Sequence, residues 1–328
     1  MQIEEDITYV RTLWACILGG IVAVPLDIAA NEEKKAQLLK ICNMLGNVFI
    51  VKDNNEEDSY TSAIQCIDIS NKLQKKWGNN KLILNVEIKE DDAVFYMFTS
   101  GSTGTPKGVI LTNKNMVSNL CAISKHYEIK KNVDCSLSWM PFSHVLGLVP
   151  GLFVSIYACI DQVKLSLNYY LLDPVEWLVK ASKHKVTLLY TTNFGLKQVL
   201  KRVRDNNNLF DLSLVRMICV TAEPISSDMC YQFEETFAEY GLKGSALVPT
   251  YGMTEATGHI TSKKIGEIIN KKYILASSLE IGAKIEETDE GVEVISCGMP
   301  VEGCDIRICD EKNEGLKEKV FGNIQISG

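Results

Sequence analysis

The ten residues Thr99-Ser100-Gly101-Ser102-Thr103-Gly104-Thr105-Pro106-Lys107-Gly108 constrain this chain more than any other stretch. An apolar run, Ala93-Val94-Phe95-Tyr96-Met97-Phe98, leads into them, and Val109-Ile110-Leu111 resumes an extended pattern beyond, so a polar, glycine-rich loop joins two apolar strands. The loop offers hydroxyls at Thr99, Ser100, Ser102, Thr103 and Thr105, unobstructed backbone NH groups at Gly101, Gly104 and Gly108, and one ammonium at Lys107. Such a loop can surround phosphate oxygens with donors. A lysine and one phosphate charge about 4 Å apart attract by roughly 4 kcal/mol before desolvation, at an effective dielectric of about 20. One lysine does not neutralise a triphosphate, so a metal ion is expected with it. A flexible Ser/Thr/Gly linker is the plainer reading, but linkers seldom end in Pro-Lys-Gly and pass straight into an apolar strand. The pattern is not a Walker loop, which needs glycine at Pro106 and a hydroxyl at Gly108, and it does not fit GxGxxG.

A chain of 328 residues with 46% hydrophobic content can fill a sizeable core, which excludes disorder and small disulfide-stapled scaffolds. The 34 Lys+Arg against 41 Asp+Glu leave a net charge of -7, unlike a surface built to coat nucleic acid or anionic lipid. The 11 cysteines are odd in number and form no CxxC pair, so they read as reduced core residues. Cys304 and Cys309 fit alternating strand positions better than a metal or redox pair. The most apolar stretch, residues 13–26, is shorter than a bilayer span, contains Pro25 and follows Glu4, Glu5 and Asp6. No membrane span is expected, and a cytoplasmic location follows by default.

Strand and helix signals alternate along most of the chain, which argues for a layered α/β fold. Helices are expected over residues 7–18, ended by Gly19 and Gly20, and from an Asn31 cap to Leu45; strands are expected over 21–25 and 48–51. Asp173-Pro174 should start a helix over 175–183. Strands are expected at 186–190, 215–220 and 246–248, with a helix capped by Ser226 or Ser227 ending near Gly241. Beyond residue 260 short β-like runs at 293–295, 305–309 and 323–327 suggest a smaller β-rich subdomain, so the division expected is 1–260 and 261–328.

Thr221-Ala222-Glu223-Pro224 follows a predicted strand and precedes a helix, the place where α/β sheets bind ligands. Tyr251-Gly252-Met253-Thr254-Glu255 follows another. A carboxylate such as Glu255 is either a surface acid or, beside a triphosphate, a ligand to a hard cation such as Mg²⁺. His144, one of four histidines, lies in Ser138-Trp139-Met140-Pro141-Phe142-Ser143-His144-Val145-Leu146-Gly147-Leu148 and is either structural or orienting. Trp139, Phe142, Leu146, Leu148, Tyr190, Asn193, Phe194, Leu247 and Met253 are candidate walls of an apolar pocket, although most are equally good core residues.

Residues 99–108 resemble the signature loop of the adenylate-forming superfamily of acyl-CoA ligases, peptide-synthetase adenylation domains and luciferases. The resemblance implies that Thr99, Ser100, Gly101, Ser102, Thr103, Gly104 and Lys107 embrace the β- and γ-phosphates of ATP. Tyr251-Gly252-Met253-Thr254-Glu255 is similar to the family's YGxTE segment. It implies that Tyr251 stacks on adenine beside Gly252 and Met253, Thr254 bonds the α-phosphate and Glu255 holds Mg²⁺. Ala222, Glu223 and Pro224 resemble the turn that packs on adenine, with Thr221 replacing its glycine, and His144 matches the histidine beside the acyl carboxylate and α-phosphate. The implied fold is a layered αβαβα-type adenylation core with a smaller β-rich subdomain.

Several stretches are most similar to the fatty-acyl-AMP ligase branch, which hands its acyl group to a carrier protein: Ser138-Trp139-Met140-Pro141, Thr192-Asn193-Phe194, Asp211-Leu212-Ser213 with Arg216, and Val294-Ile295-Ser296-Cys297-Gly298-Met299-Pro300. Trp139, His144, Asn193 and Phe194 then become the expected substrate contacts. Val145 and Thr254 depart towards acyl-CoA ligases, leaving coenzyme A as the alternative acceptor. The family's C-terminal lid, with its adenylation lysine, has no counterpart in the sequence, and the N-terminus is short; the expectation is an incomplete core, weakly active alone, or a lid-less module that binds nucleotide without catalysis.

Overall fold

The computed structural model describes residues 1–53, 64–70, 86–99, 106–203 and 210–328. It forms two compact units, residues 1–117 with 141–148, and residues 118–140 with 149–328.

In the first unit, α1 (Asp6–Leu18) starts on Glu5, whose carboxylate accepts from the Ile7 and Thr8 amides, and stops at Gly19. α2 (Glu32–Leu45) is capped by Asn31, which accepts from Lys34 N at 2.9 Å, and Gly46 ends it at φ 77°. Leu38 and Cys42 of this helix pack with Ala29 and with Ile50 of β1 (Phe49–Lys52), which pairs in parallel with β2 (Gln65–Asp68). β3 (Ala93–Thr99) and β4 (Lys107–Thr112) form an antiparallel pair whose last rung is Thr99 with Lys107. The strand expected over 21–25 is reduced to one parallel bridge, Ala23 to Phe95, and Pro25 has no NH with which to extend it. α3 (Asn113–His126) opens in this unit and continues into the second, while α4 (Val145–Leu148) belongs to the first.

The second unit is built on β5 (Cys135–Ser138), β6 (Asp161–Lys164), β7 (Leu188–Thr191), β8 (Met217–Val220), β9 (Leu247–Met253) and β10 (Gly258–Ser262). Smaller pairs are β11 (Lys271–Ile274) with β12 (Val292–Ile295) and β14 (Asp305–Cys309) with β15 (Asn323–Ser327); between them β13 (Met299–Pro300) joins the main sheet. The main order is β13-β10-β9-β8-β7-β5-β6, parallel from β6 to β9 and antiparallel at β10 and β13. β10 spans residue 260, so the main sheet runs on into the segment beyond it. Every residue of β7 and β8 is buried, as strands covered on both faces require. The connections carry α5 (Val154–Tyr157), α6 (Leu167–Leu172), α7 (Glu176–Lys183), α8 (Asn193–Val203) and α9 (Ser227–Ala238). Asp173 starts α7 by accepting from Val175 N at 3.1 Å, and Ser226 caps α9 through Met229 N at 3.3 Å.

Two polar links lie inside this unit. Arg216 grips Asp134 through Nε to Oδ1 at 2.8 Å and Nη2 to Oδ2 at 2.8 Å, and Thr187 Oγ1 donates to the same carboxylate at 2.7 Å. Just beyond the end of α3, Tyr127 Oη lies 3.0 Å from His259 Nε2, 2.7 Å from Ser262 Oγ and 3.2 Å from Thr250 Oγ1, all buried. Burial, helped by nearby His126, pushes the His259 pKa down to about 3, from 6.5 when exposed. The unfolded chain therefore takes up a proton below about pH 6.5 that the folded chain refuses until about pH 3, so this group destabilises the fold as pH falls through that window. The loss should reach about 2 kcal/mol at pH 5, read from urea midpoints, and His259→Gln should flatten this part of the pH profile.

Candidate active site

Parallel pairing sends the carboxyl ends of β5, β7, β8 and β9 to one edge of the sheet. Trp139 leaves β5 there, Asn193 and Phe194 follow β7, Ala222, Glu223 and Pro224 follow β8, and Tyr251 to Glu255 end β9. Side chains tie two of these segments together. Glu223 accepts a hydrogen bond from the Phe194 amide, and Asn193 Oδ1 accepts from Ser226 N at 3.2 Å. The turn is exposed, and Ala222, not Thr221, takes the left-handed conformation, with φ 74°, at a cost of about 1 kcal/mol. An outlier of this kind is more common at ligand-facing turns than in plain connections.

Tyr251, Gly252 and Met253 are half-buried on β9. A Cβ at Gly252 would collide with the Gly258 carbonyl, so only glycine permits this close approach of β10. Thr254 and Glu255 form a 3₁₀ turn closed by Thr257 N to Thr254 O at 2.9 Å, with Thr257 at φ 64°. Glu255 is exposed, and none of its hydrogen bonds or ion pairs lies among the described residues. No group of three or more His, Cys, Asp or Glu side chains among the described residues could cage a metal. A single free carboxylate suits Mg²⁺, which keeps water and takes phosphate oxygens rather than an all-protein shell.

Trp139 is buried and stacks on Tyr170 with ring centroids 3.9 Å apart and planes at 1°. Tyr170 Oη donates to Gly195 O at 2.8 Å, and a Cβ at Gly195 would strike the Trp139 ring and Thr191. Trp139 therefore makes a rigid floor beneath the start of α8, whereas Phe194 is 45% exposed and available to a ligand. Tyr190 and Leu247 are fully buried in the sheet.

In the first unit, Lys107 is exposed at the start of β4 and Thr99 is half-buried at the end of β3. Ser100, Gly101, Ser102, Thr103 and Gly104 lie outside the described residues. His144 is exposed on the segment 141–148, which packs on this unit through Phe142 against Tyr9 at 5.2 Å and through Ser143, whose hydroxyl donates to Asp27. Asp27 also receives Lys34 Nζ at 3.0 Å. Burial acts to raise its pKa, but Ser143, Lys34 and the nearby His144 together hold it below the usual carboxylate value. These residues line a cavity of about 140 Å³ with Gln37 and Phe98. The sequence shows Asp27 only as the end of Val-Pro-Leu-Asp, and its partner lies 116 residues away. Ser143→Ala should loosen this anchor and speed amide exchange at His144 and Leu148 about fivefold, with α2 unchanged.

Comparisons with known proteins identify the family and the fold. The family model for AMP-binding enzyme matches residues 3–328. The medium-chain-fatty-acid–[acyl-carrier-protein] ligase JamA of Moorena producens is 28% identical over 93% of this chain and 54% of its own. The 4-hydroxyphenylalkanoate adenylyltransferase of Mycobacterium tuberculosis is 24% identical over 93% of this chain and 52% of its own. The chain thus spans about half the length of these curated relatives. A fatty acid AMP ligase from Legionella pneumophila shares the fold with a TM-score of 0.88 at 23% identity, covering 99% of this chain and 58% of that one.

Proposed function

We propose that this chain, which belongs to the AMP-binding enzyme family, activates a fatty acid as its acyl-adenylate for transfer to a carrier protein. The observation that carries the reading is the strand-end cluster, with the Ala222 turn and the Tyr251 segment on neighbouring strands and an unencumbered Glu255 beside them. Tyr251 would stack on adenine against the backbone of Ala222, Glu223 and Pro224, and Thr254 would donate to the α-phosphate. Glu255 would hold Mg²⁺, which when bound supplies charge neutralisation to the polyphosphate. Lys107, with Thr99, Ser100, Gly101, Ser102, Thr103 and Gly104, would grip the β- and γ-phosphates.

A carboxylate oxygen of the acid then bonds to the α-phosphorus as the bond from that phosphorus to the pyrophosphate oxygen breaks. A fatty acid is already ionised at neutral pH, so no base has to remove a proton. His144 accordingly orients the acid and faces developing charge, and positioning supplies most of the rate. Trp139, Asn193 and Phe194 would border the acyl chain. The carrier protein as acceptor is supported by the similarity to JamA, an acyl-carrier-protein ligase; coenzyme A is the alternative, and the thioester that accumulates when both acceptors are offered separates them.

Lys107→Ala should weaken ATP binding at least tenfold in calorimetry while leaving a non-hydrolysable acyl-adenylate analogue unchanged, because the analogue has no β- or γ-phosphate for the ammonium to meet. Equal losses for both ligands would remove Lys107 from the polyphosphate.

A further inference from the structure

We propose that the Tyr127 hydroxyl, deep in the second unit, is a positioning group for Glu255, acting through a bulge in β10. The proposal rests on the reading of Glu255 as the metal ligand and adds to it the device that aims it.

The bulge is visible in the register. His259 faces Gly252 and Thr261 faces Tyr251, so two steps along β10 meet one along β9 and Ile260 is the extra residue. In a regular strand residues three apart point to opposite faces. The extra residue brings His259 and Ser262 to the same face, where both reach Tyr127 Oη, at 3.0 Å and 2.7 Å. Thr250 of β9, opposite Ser262 in the ladder, lies 3.2 Å from the same oxygen and 2.9 Å from Ser262 Oγ. One hydroxyl, on the residue that follows α3, therefore touches both strands and both sides of the bulge.

The contacts fit an assignment in which Ser262 donates to Tyr127 and Tyr127 donates to Nε2 of a neutral His259, while Cys219 Sγ reaches Thr250 Oγ1 at 3.5 Å. With a regular ladder this set would break, leaving buried hydroxyls without partners. The second strand is held from its backbone as well, because Asn119 Nδ2 donates to His259 O at 2.9 Å. Gly252, where no Cβ fits, removes slack on the β9 side. Between these anchors lie only Met253, the Thr254–Ala256 turn, Thr257 and Gly258, so the direction of the Glu255 carboxylate follows from where the bulge is fixed. An apolar core at these positions would pack as well; the polar set distinguishes one register from its neighbours.

The test uses the full chain. In the free protein Tyr127→Phe should raise amide exchange at Gly252 and His259 about fivefold while α8 and β8 stay protected. Calorimetry then compares ATP affinity in Mg²⁺ with affinity in EDTA. Glu255→Gln should abolish the gain from Mg²⁺, and Tyr127→Phe should cut that gain about fivefold while affinity in EDTA holds. Ser262→Ala, a smaller change, should fall between wild type and Tyr127→Phe and serves if the latter does not fold. A purely structural role would lower the number of binding-competent molecules and leave the ratio unchanged. Unchanged exchange, or an unchanged ratio in Tyr127→Phe where Glu255→Gln loses it, overturns the positioning role alone. An unchanged ratio in Glu255→Gln overturns the metal reading and this proposal with it.

Discussion

The rung that crosses the main sheet from Ser138 to Tyr190, Cys219 and Val248 fixes four parallel strands at one level. Parallel neighbours cannot be joined by a short turn, so each strand that leads to a parallel partner is followed by a crossover, and the chain leaves the four strands at the same edge. That requirement gathers Trp139, Asn193, Ala222 and Tyr251 from positions far apart in sequence. It also separates tasks. β7 and β8 are buried throughout, while residues just beyond the strand ends, such as Asn193 and Glu223, are released from the ladder and carry polar groups.

Two polar sets inside the second unit link its elements. Asp134 is held by Arg216, Thr187 and the Lys130 amide, which ties β8 and the approach to β7 to the loop before β5. Although burial acts to raise its pKa, these partners keep Asp134 below the usual carboxylate value. The Tyr127 set does the same between the turn after α3, β9 and β10. Both sets add little to stability over well-packed apolar side chains, because desolvation offsets most of the gain, and their effect is to select one arrangement.

Much of this was legible locally. Asn31 and Ser226 are helix caps that act within three residues, and Asp173 starts its helix from two residues before Val175, so sequence spacing alone reveals all three. The loop before Lys107 and the Tyr251 segment stand out as candidates in the sequence because their polar groups sit in consecutive residues. What escaped is non-local. The Ser143 to Asp27 bond spans 116 residues, and the link from Tyr127 to His259 spans 132. The left-handed residue falls on Ala222, for which composition gives no signal, since alanine carries neither glycine's freedom nor the side-chain hydrogen bond of asparagine. The stack of Trp139 on Tyr170, 31 residues away, is likewise invisible in the sequence around either ring. The bulge at Ile260 depends on pairing with β9, which alternation along β10 alone does not encode.

The central claim is that adenine lies at the strand-end edge, against the turn after β8 and the end of β9. Photolabelling with 8-azido-ATP, followed by mapping of the modified peptides, addresses it most directly. Labelled sites should fall on residues 221–224 and 251–253 and disappear with excess ATP. Competable label confined to β11, β12, β14 or β15, with none at the strand ends, would contradict the account.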